Sequence, residues 1–311
     1  MGEVRYTHSF CHPRSGNSYD LEIYDKTYSA GESTTEIDGD SVQIVFEGES
    51  AEYDKALFGS RCEFTYHVKT AAHRTFINNI AEAAEGTYLM RIKRGSNLVW
   101  VGVILPDMIE IPDTTPTQLV RIVATDGIER LKDVDSASAG TGSKTFIEIM
   151  IAELEQIDSV AEFYDTSDLL LRTIINIYEG THGTITAALD PADKTRTDTE
   201  VFYKFAKSAE GSYEYELDDD GNRVKMSAYD VLEQVVSLFE AELHHFEGYF
   251  RVKSKNAAYT ENYRYREYDI DGTMLDSDTE SDEDTIDQVD VKIAATAFTR
   301  LLPSLNKVTL D

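Results

Sequence analysis

The chain has 311 residues, 41% of them hydrophobic, which is enough for two or three cores, since single cores stop growing near about 250–300 residues. Its 58 acidic and 29 basic side chains leave a formal net charge of −29, and a surface that negative repels phosphate, which excludes ordinary nucleic-acid binding. No run of about 18 apolar residues occurs and Met1-Gly-Glu-Val-Arg-Tyr6 lacks the charged-then-apolar layout of a secretion signal, so the expectation is a soluble protein made in the cytoplasm, without membrane insertion.

From about Tyr19 to Asp133, short runs alternate apolar with polar: Leu21 and Ile23, then Val42, Ile44 and Phe46, then Phe64, Tyr66 and Val68. Turn clusters such as Ala30-Gly-Glu-Ser-Thr34 and Arg94-Gly-Ser-Asn97 break them, so this block reads as mostly antiparallel β. One helix is predicted over about 73–85, with Phe76, Ile77, Ile80, Ala81 and Ala84 as a narrow apolar stripe. Cys11 and Cys62 lie in separate strand-like segments without CxxC spacing and are expected to be packed, reduced thiols.

The small polar stretch Ser136-Ala-Ser-Ala-Gly-Thr-Gly-Ser143 is the best candidate boundary. Beyond it, Phe146, Ile149, Met150, Ala152 and Leu154 suggest a helix from about Lys144 to Gln156. The run Leu169–Tyr178 fits either helix or strand, and Asp190–Thr199 reads as a loop. Ser227 with Asp230 makes a cap-like start for a helix predicted over 228–245, with Tyr229, Leu232, Val235, Val236, Phe239 and Leu243 on one face. Around Gly248 the period switches to two, and Phe250–Lys253, Asn262–Tyr268 and Val289–Ala294 all alternate. The acidic run Asp276–Asp287 reads as a mobile loop, the core of a loop over 269–287, and Leu301–Asp311 looks like the start of a strand. These patterns give an α+β chain, mainly antiparallel β, in three blocks: 1–135, 136–226 and 227–311.

No pattern carries chemistry. Asp218-Asp-Asp-Gly-Asn222 has the acidic spacing of a calcium loop, yet Ser227 stands where the bidentate glutamate would be needed, and an Asp-Gly hairpin turn explains the same residues. His244 and His245 are adjacent, so on a helix they point about 100° apart and cannot share one metal unaided. His8 and His12 flank no helix because Pro13 follows them. Nucleophile-elbow, phosphate-loop and His-Glu-x-x-His motifs are absent. Acidic pairs such as Glu47/Glu49 and Asp107/Glu110 arise by chance at this composition. Tyr213/Tyr215 and Tyr263/Tyr265 fall at i, i+2, so each pair shares a strand face that could pack, form an interface or stack on a saccharide. Catalytic, cofactor-binding and metal-ligating residues are therefore assigned to none, and interface residues cannot be named from sequence.

The segment Ser227–Lys253 resembles the helix–strand unit of central hub proteins at the tail tip or baseplate of long-tailed bacteriophages, prophages and related tail-like particles. Leu98-Val-Trp-Val-Gly-Val-Ile-Leu-Pro-Asp-Met-Ile-Glu-Ile-Pro112, followed by Val120-Arg-Ile-Val-Ala-Thr-Asp-Gly-Ile-Glu-Arg-Leu-Lys-Asp133, is similar to the same family. Ser18–Asp25, Val42–Glu49 and Phe58–Phe64 come in the expected order, whereas about 180–211 departs from the pattern. The resemblance implies two tail-tube-like β-barrel or sandwich domains, the first and third blocks, flanking an α+β insertion. It also implies a non-enzymatic virion protein without cofactor, at the tail tip, that closes into a homotrimeric ring. Such a ring would join the tail tube or distal tail protein to a fibre, spike or tape-measure protein, and would frame a channel in which DNA is only transient, non-adhesive cargo. The acidic excess would then line that channel, or else serve solubility. The alternatives are a receptor- or glycan-binding tail adhesin and a tail-associated cell-wall hydrolase.

Overall fold

The computed structural model describes residues 3–11, 16–29, 33–34, 37–46, 55–109, 118–175, 192, 195–207, 212–255 and 262–281. In chain order the elements are β1 (Glu3–Cys11), β2 (Ser18–Asp25), β3 (Ser33–Thr34), β4 (Ile37–Phe46), β5 (Leu57–Phe58), β6 (Ser60–Val68), α1 (Ala71–Ala81), β7 (Tyr88–Arg94), β8 (Asn97–Ile104) and β9 (Gln118–Thr125). Then come β10 (Ser143–Thr145), α2 (Phe146–Leu154), α3 (Asp158–Phe163), β11 (Leu171–Ile174), β12 (Arg196–Asp198), β13 (Phe205–Lys207), β14 (Tyr213–Tyr215), α4 (Ala228–Leu238), β15 (Ala241–Phe246), β16 (Tyr249–Ser254), β17 (Asn262–Tyr268) and β18 (Met274–Ser281).

Most pairing is antiparallel, as the alternating patterns predict. One eight-stranded sheet, order β3-β1-β2-β7-β8-β9-β6-β4, curls as a half-barrel around α1. A six-stranded sheet, order β18-β17-β11-β16-β15-β5, packs against α2 and α4, and two-stranded ribbons β10-β12 and β13-β14 complete the described residues. The β7–β8 hairpin turns at Gly95-Ser96, where the Arg94–Asn97 cluster is predicted to turn.

Two cores follow from this layout. Inside the half-barrel, Leu21, Ile23, Phe64, Tyr66, Met90 and Ile122 enclose Phe76, Ile77 and Ile80 of α1. The second core gathers Ile147, Met150 and Leu154 of α2, Val231, Leu232, Val235 and Val236 of α4, and Leu171, Leu243, Phe250 and Val252 of the six-stranded sheet. Leu57, Val101, Ile128 and Leu131 from the first block join it. The second and third sequence blocks thus share one core, and β5 of the first block pairs in parallel with β15. Strand β8 shows why: Trp100 and Ile104 face the half-barrel core, whereas Val101 faces the second. A strand buried on both faces reads as a continuous apolar run, as Leu98–Leu105 does.

Several predicted elements shift. Helix α1 covers Ala71–Ala81, not 73–85, because the Thr70 side chain caps it by accepting from the His73 N–H, and the chain then turns through Gly86 (φ 81°) into β7. Ser227 caps α4 through the Asp230 N–H, as predicted, but the helix ends at Leu238 and not at 245. Glu240 takes φ 47° and the chain enters β15, where Ala241, Leu243 and His245 are buried alternately. Leu243 fits either period by spacing, and strand pairing on both sides, with β16 and β5, decides it. At the β15–β16 turn both Glu247 (φ 52°) and Gly248 (φ 83°) are left-handed, the geometry of a type I′ hairpin.

Other readings change in the same way. Leu171–Ile174 of the ambiguous run is a strand, parallel to β16, with 176–178 outside the described residues. The predicted loop 190–199 contains β12, paired with β10, while much of its first half lies outside the described residues. The acidic run is not a loop up to residue 281: Asp276 and Asp278 lie in β18, paired antiparallel with β17. An edge strand can carry acids because its outer face stays in water, and charge there blunts edge-to-edge aggregation. Residues 282–287, 289–294 and 301–311 lie outside the described residues.

The stretch Ser136–Ser143 is not a loose connector either. Glu153, fully buried in α2, accepts hydrogen bonds from the Ser136 hydroxyl (2.7 Å) and from the backbone N–H groups of Ala137 and Ser138 (3.1 and 2.9 Å). Its neighbours pair with the start of α4, through Ser136 N–H to the Met226 carbonyl and Ala228 N–H to the Val134 carbonyl. A buried carboxylate that receives these donors fixes a segment whose composition alone suggests freedom.

Candidate functional site

The singled-out chemical residues are scattered. Asp218 caps a turn, accepting from the N–H groups of Asp220 and Asn222 at 3.0 and 2.7 Å, with Gly221 at φ 80° and Leu217 bridged to Arg223. Those bonds hold its carboxyl below the usual range. The hairpin explanation of this acidic cluster is the one observed. Among the described residues no group of three or more His, Cys, Asp or Glu side chains could hold a metal ion. Cys62 is buried and its thiol is pushed up by burial, whereas Cys11 is exposed at the end of β1; both are free. His8 lies on β1, while His12, Glu47, Glu49 and Glu110 lie outside the described residues.

His244 and His245 sit on a strand, not a helix, and therefore point to opposite faces. His244 stacks on Phe58 at 4.6 Å between ring centroids and lies 3.4 Å from Glu242. His245 is fully buried beside Phe250 (4.8 Å) and Trp100 (6.2 Å). Its Nε2 lies 3.4 Å from the Tyr164 hydroxyl, which donates to the Gly248 carbonyl at 2.6 Å. The Tyr164 oxygen can then accept from Nε2–H, the tautomer that leaves Nδ1 bare, and Nδ1 indeed finds no hydrogen-bond partner. Burial lowers the His245 pKa to about 3, so the ring is neutral.

His245 belongs to a junction that locks the two larger sheets together. Trp100 lies across Gly102, where any Cβ would strike its ring and the Thr125 carbonyl. Its indole N–H donates to the Ser60 hydroxyl (2.9 Å), which donates to buried Asp126 (2.8 Å). Asp126 also accepts from the Ser60 and Ile128 N–H groups, at 2.5 and 3.1 Å, fixing the turn after β9. Gly248 presses against the Leu98 carbonyl so closely that a Cβ has no room. Helix α3 adds ion pairs from Asp158 to Lys26 (2.6 Å) and Arg130 (3.0 Å), and a 2.5 Å hydrogen bond from Tyr24 to Glu162. Burial and that bond push Tyr24 up to about 12.

Two surfaces stand apart from the junction. On the outer face of the six-stranded sheet, the Arg172 guanidinium lies between the Tyr249 and Tyr265 rings (5.0 and 4.4 Å) and pairs with Glu267. Tyr265 is thus engaged within the fold, and the side chain of Tyr263 lies outside the described residues. The second surface is the ribbon β13–β14, where Phe205 packs on Tyr215 (4.6 Å) and Arg223 stacks over Tyr215 at 3.9 Å. Glu200 receives the Tyr215 hydroxyl (3.2 Å) and Arg223 (3.3 Å). Sequence spacing finds the Tyr213/Tyr215 pair but not their partners Phe205 and Arg223, which strand pairing supplies. A shallow cleft lined by Lys144, Glu148, Glu155, Arg196 and Asp271 carries both charge signs.

No family model and no curated protein matches the chain. Among solved structures, it is similar to a crystal structure of the 43 kDa tail protein of prophage MuSo2 from Shewanella oneidensis, at 10% identity and a TM-score of 0.30. The match covers 69% of this chain and 56% of that one, so it spans little more than half the length of that protein. Among the described residues no helix is long and apolar enough to cross a membrane.

Proposed function

We propose that this chain is a structural, non-enzymatic component of a phage-type tail, acting as a hub that joins the tail tube to the tail tip and frames its channel. The observation that carries this reading is where the family-like stretches meet. Phe58–Phe64 supplies Ser60, Leu98–Pro112 supplies Trp100 and Gly102, Val120–Asp133 supplies Asp126, and Ser227–Lys253 supplies His245 and Gly248. These residues are far apart in sequence yet form one buried junction. Trp100, Ser60 and Asp126 are bonded to one another and Tyr164 to the Gly248 carbonyl, so the junction ties distant segments together, which is the arrangement a load-transmitting scaffold needs.

In this reading the subunits join into a homotrimeric ring through sheet edges and exposed ribbons. The partners are further copies, the tail tube or distal tail protein, and a fibre, spike or tape-measure protein, with DNA passing as non-adhesive cargo. The excess of acidic side chains supports the last point, because an acidic wall repels phosphate. Mass spectrometry of purified tailed particles tests the reading. The chain is expected in isolated tails at a copy number divisible by three, and its absence from washed particles would overturn the proposal.

A further inference from the structure

In the ribbon, register pairs Phe205 with Tyr215 and Lys207 with Tyr213, and a bridge sets Leu217 opposite Arg223. Facing residues of an antiparallel pair share a side, so Phe205, Tyr213, Tyr215 and Leu217 line one face together with Lys207 and with Arg223, whose charge is paired with Glu200. That face is open: Phe205 is 49%, Tyr213 73% and Leu217 58% exposed. A two-stranded ribbon is marginal in water by itself, and a contiguous apolar patch on such a ribbon marks an interaction site.

A surface of opposite character lies on the same molecule. On β18 the register sets Asp276 opposite Glu267 and Asp278 opposite Tyr265, so both aspartates project from the outer face of the six-stranded sheet. Both are exposed. In a chain of net charge −29, most contacts between copies are repulsive. A favourable contact must bring a cationic, apolar patch onto an acidic one, and the ribbon and β18 supply that combination.

We infer that the aromatic and cationic face of ribbon β13–β14 docks on the acidic outer face of β18 in a second copy of this chain. Because the two patches differ, the contact is head-to-tail, and such contacts close rings when the rotation permits. The inference deepens the proposed ring and rests on it. Aromatic anchors supply contact area and the charges select the partner face.

Sedimentation velocity of the full chain, across protein concentration and at low salt, tests it, with circular dichroism confirming that each variant keeps the native spectrum. Wild-type protein is expected to associate, with Tyr213→Ala, Lys207→Glu and Asp276→Lys each weakening association about tenfold. Lys207→Glu combined with Asp276→Lys should restore it to near the wild-type level. Association that ignores the single changes, or that the double change fails to restore, overturns this contact while leaving a ring built through other surfaces standing. A strict monomer under all conditions overturns the contact as well, and the presence of the chain in purified tails then decides separately whether the tail reading falls.

Discussion

The sheet junction and the ribbon are built from similar residue types to opposite ends. At the junction Trp100, His245 and Phe250 are buried, and hydrogen bonds run from the indole through Ser60 to Asp126. At the ribbon Phe205, Tyr213 and Leu217 face water, and backbone pairing with ring and ion-pair contacts around Tyr215 and Arg223 holds the strands. Aromatic content alone therefore does not separate a scaffold from an interface; the partners of the polar groups do. The first region is closed on itself, whereas the second leaves its apolar side chains in water.

Mutations that open the junction should separate the two regions most sharply. Trp100→Ala leaves a large cavity and deprives Ser60 of a donor, and is expected to cost about 3–5 kcal/mol in urea unfolding. Gly248→Val should be comparably severe, since its φ of 83° disfavours a β-branched side chain and the Leu98 carbonyl blocks any Cβ. Tyr213→Ala on the ribbon should stay within about 0.5 kcal/mol of wild type. Similar losses at both places would erase the distinction.

Acid should find the junction next. His245 has a folded pKa of about 3, below the unfolded value of about 6.5. Between these values the unfolded chain binds the extra proton, so this group's contribution to stability is complete above about pH 6.5 and is lost as pH falls. The expected loss is about 2 kcal/mol between neutral pH and about pH 5. His245→Gln should flatten that part of the profile whatever its effect at neutral pH; an unchanged slope in the variant would remove His245 as the source.

An effect of similar size is expected where the small-residue stretch is tied down. Glu153→Gln keeps the shape but replaces one acceptor oxygen with a donor facing N–H groups, at a cost of about 1–3 kcal/mol. Limited proteolysis should then cut within 136–143, a site the wild type protects. Smallest of all, Asp276→Asn on β18 should change stability by less than about 0.5 kcal/mol, because its side chain is exposed on an edge strand.

These contrasts also show what a sequence reveals. Alternation at Leu21/Ile23 and Phe64/Tyr66/Val68, the Ser227 cap and the Asp218–Asn222 turn are local signals, and they hold in the structure. The limit of α4 was hidden because Leu243 satisfies both periods, and pairing with β5, nearly two hundred residues away in the chain, decides between them. Ser136–Ser143 reads as a linker because its anchor is a single buried carboxylate, Glu153, that composition counts as one more surface acid. The acidic strand misleads for the same reason, since repulsion along Asp276–Asp278 says nothing of the backbone bonds it makes to β17. Ribbon partners Phe205 and Arg223 are invisible in the sequence because strand pairing, not spacing along the chain, brings them onto Tyr215.

The central proposal is a ring-forming tail hub whose acidic charge faces the channel. A cryo-electron microscopy map of the tail tip of particles containing the chain tests it most directly. The account predicts three copies around the tail axis, each with Trp100 and His245 inside a closed protomer, and acidic side chains around the lumen. A tip without threefold density for this chain, or a neutral or basic lumen with the acids spread over the outside, would contradict it.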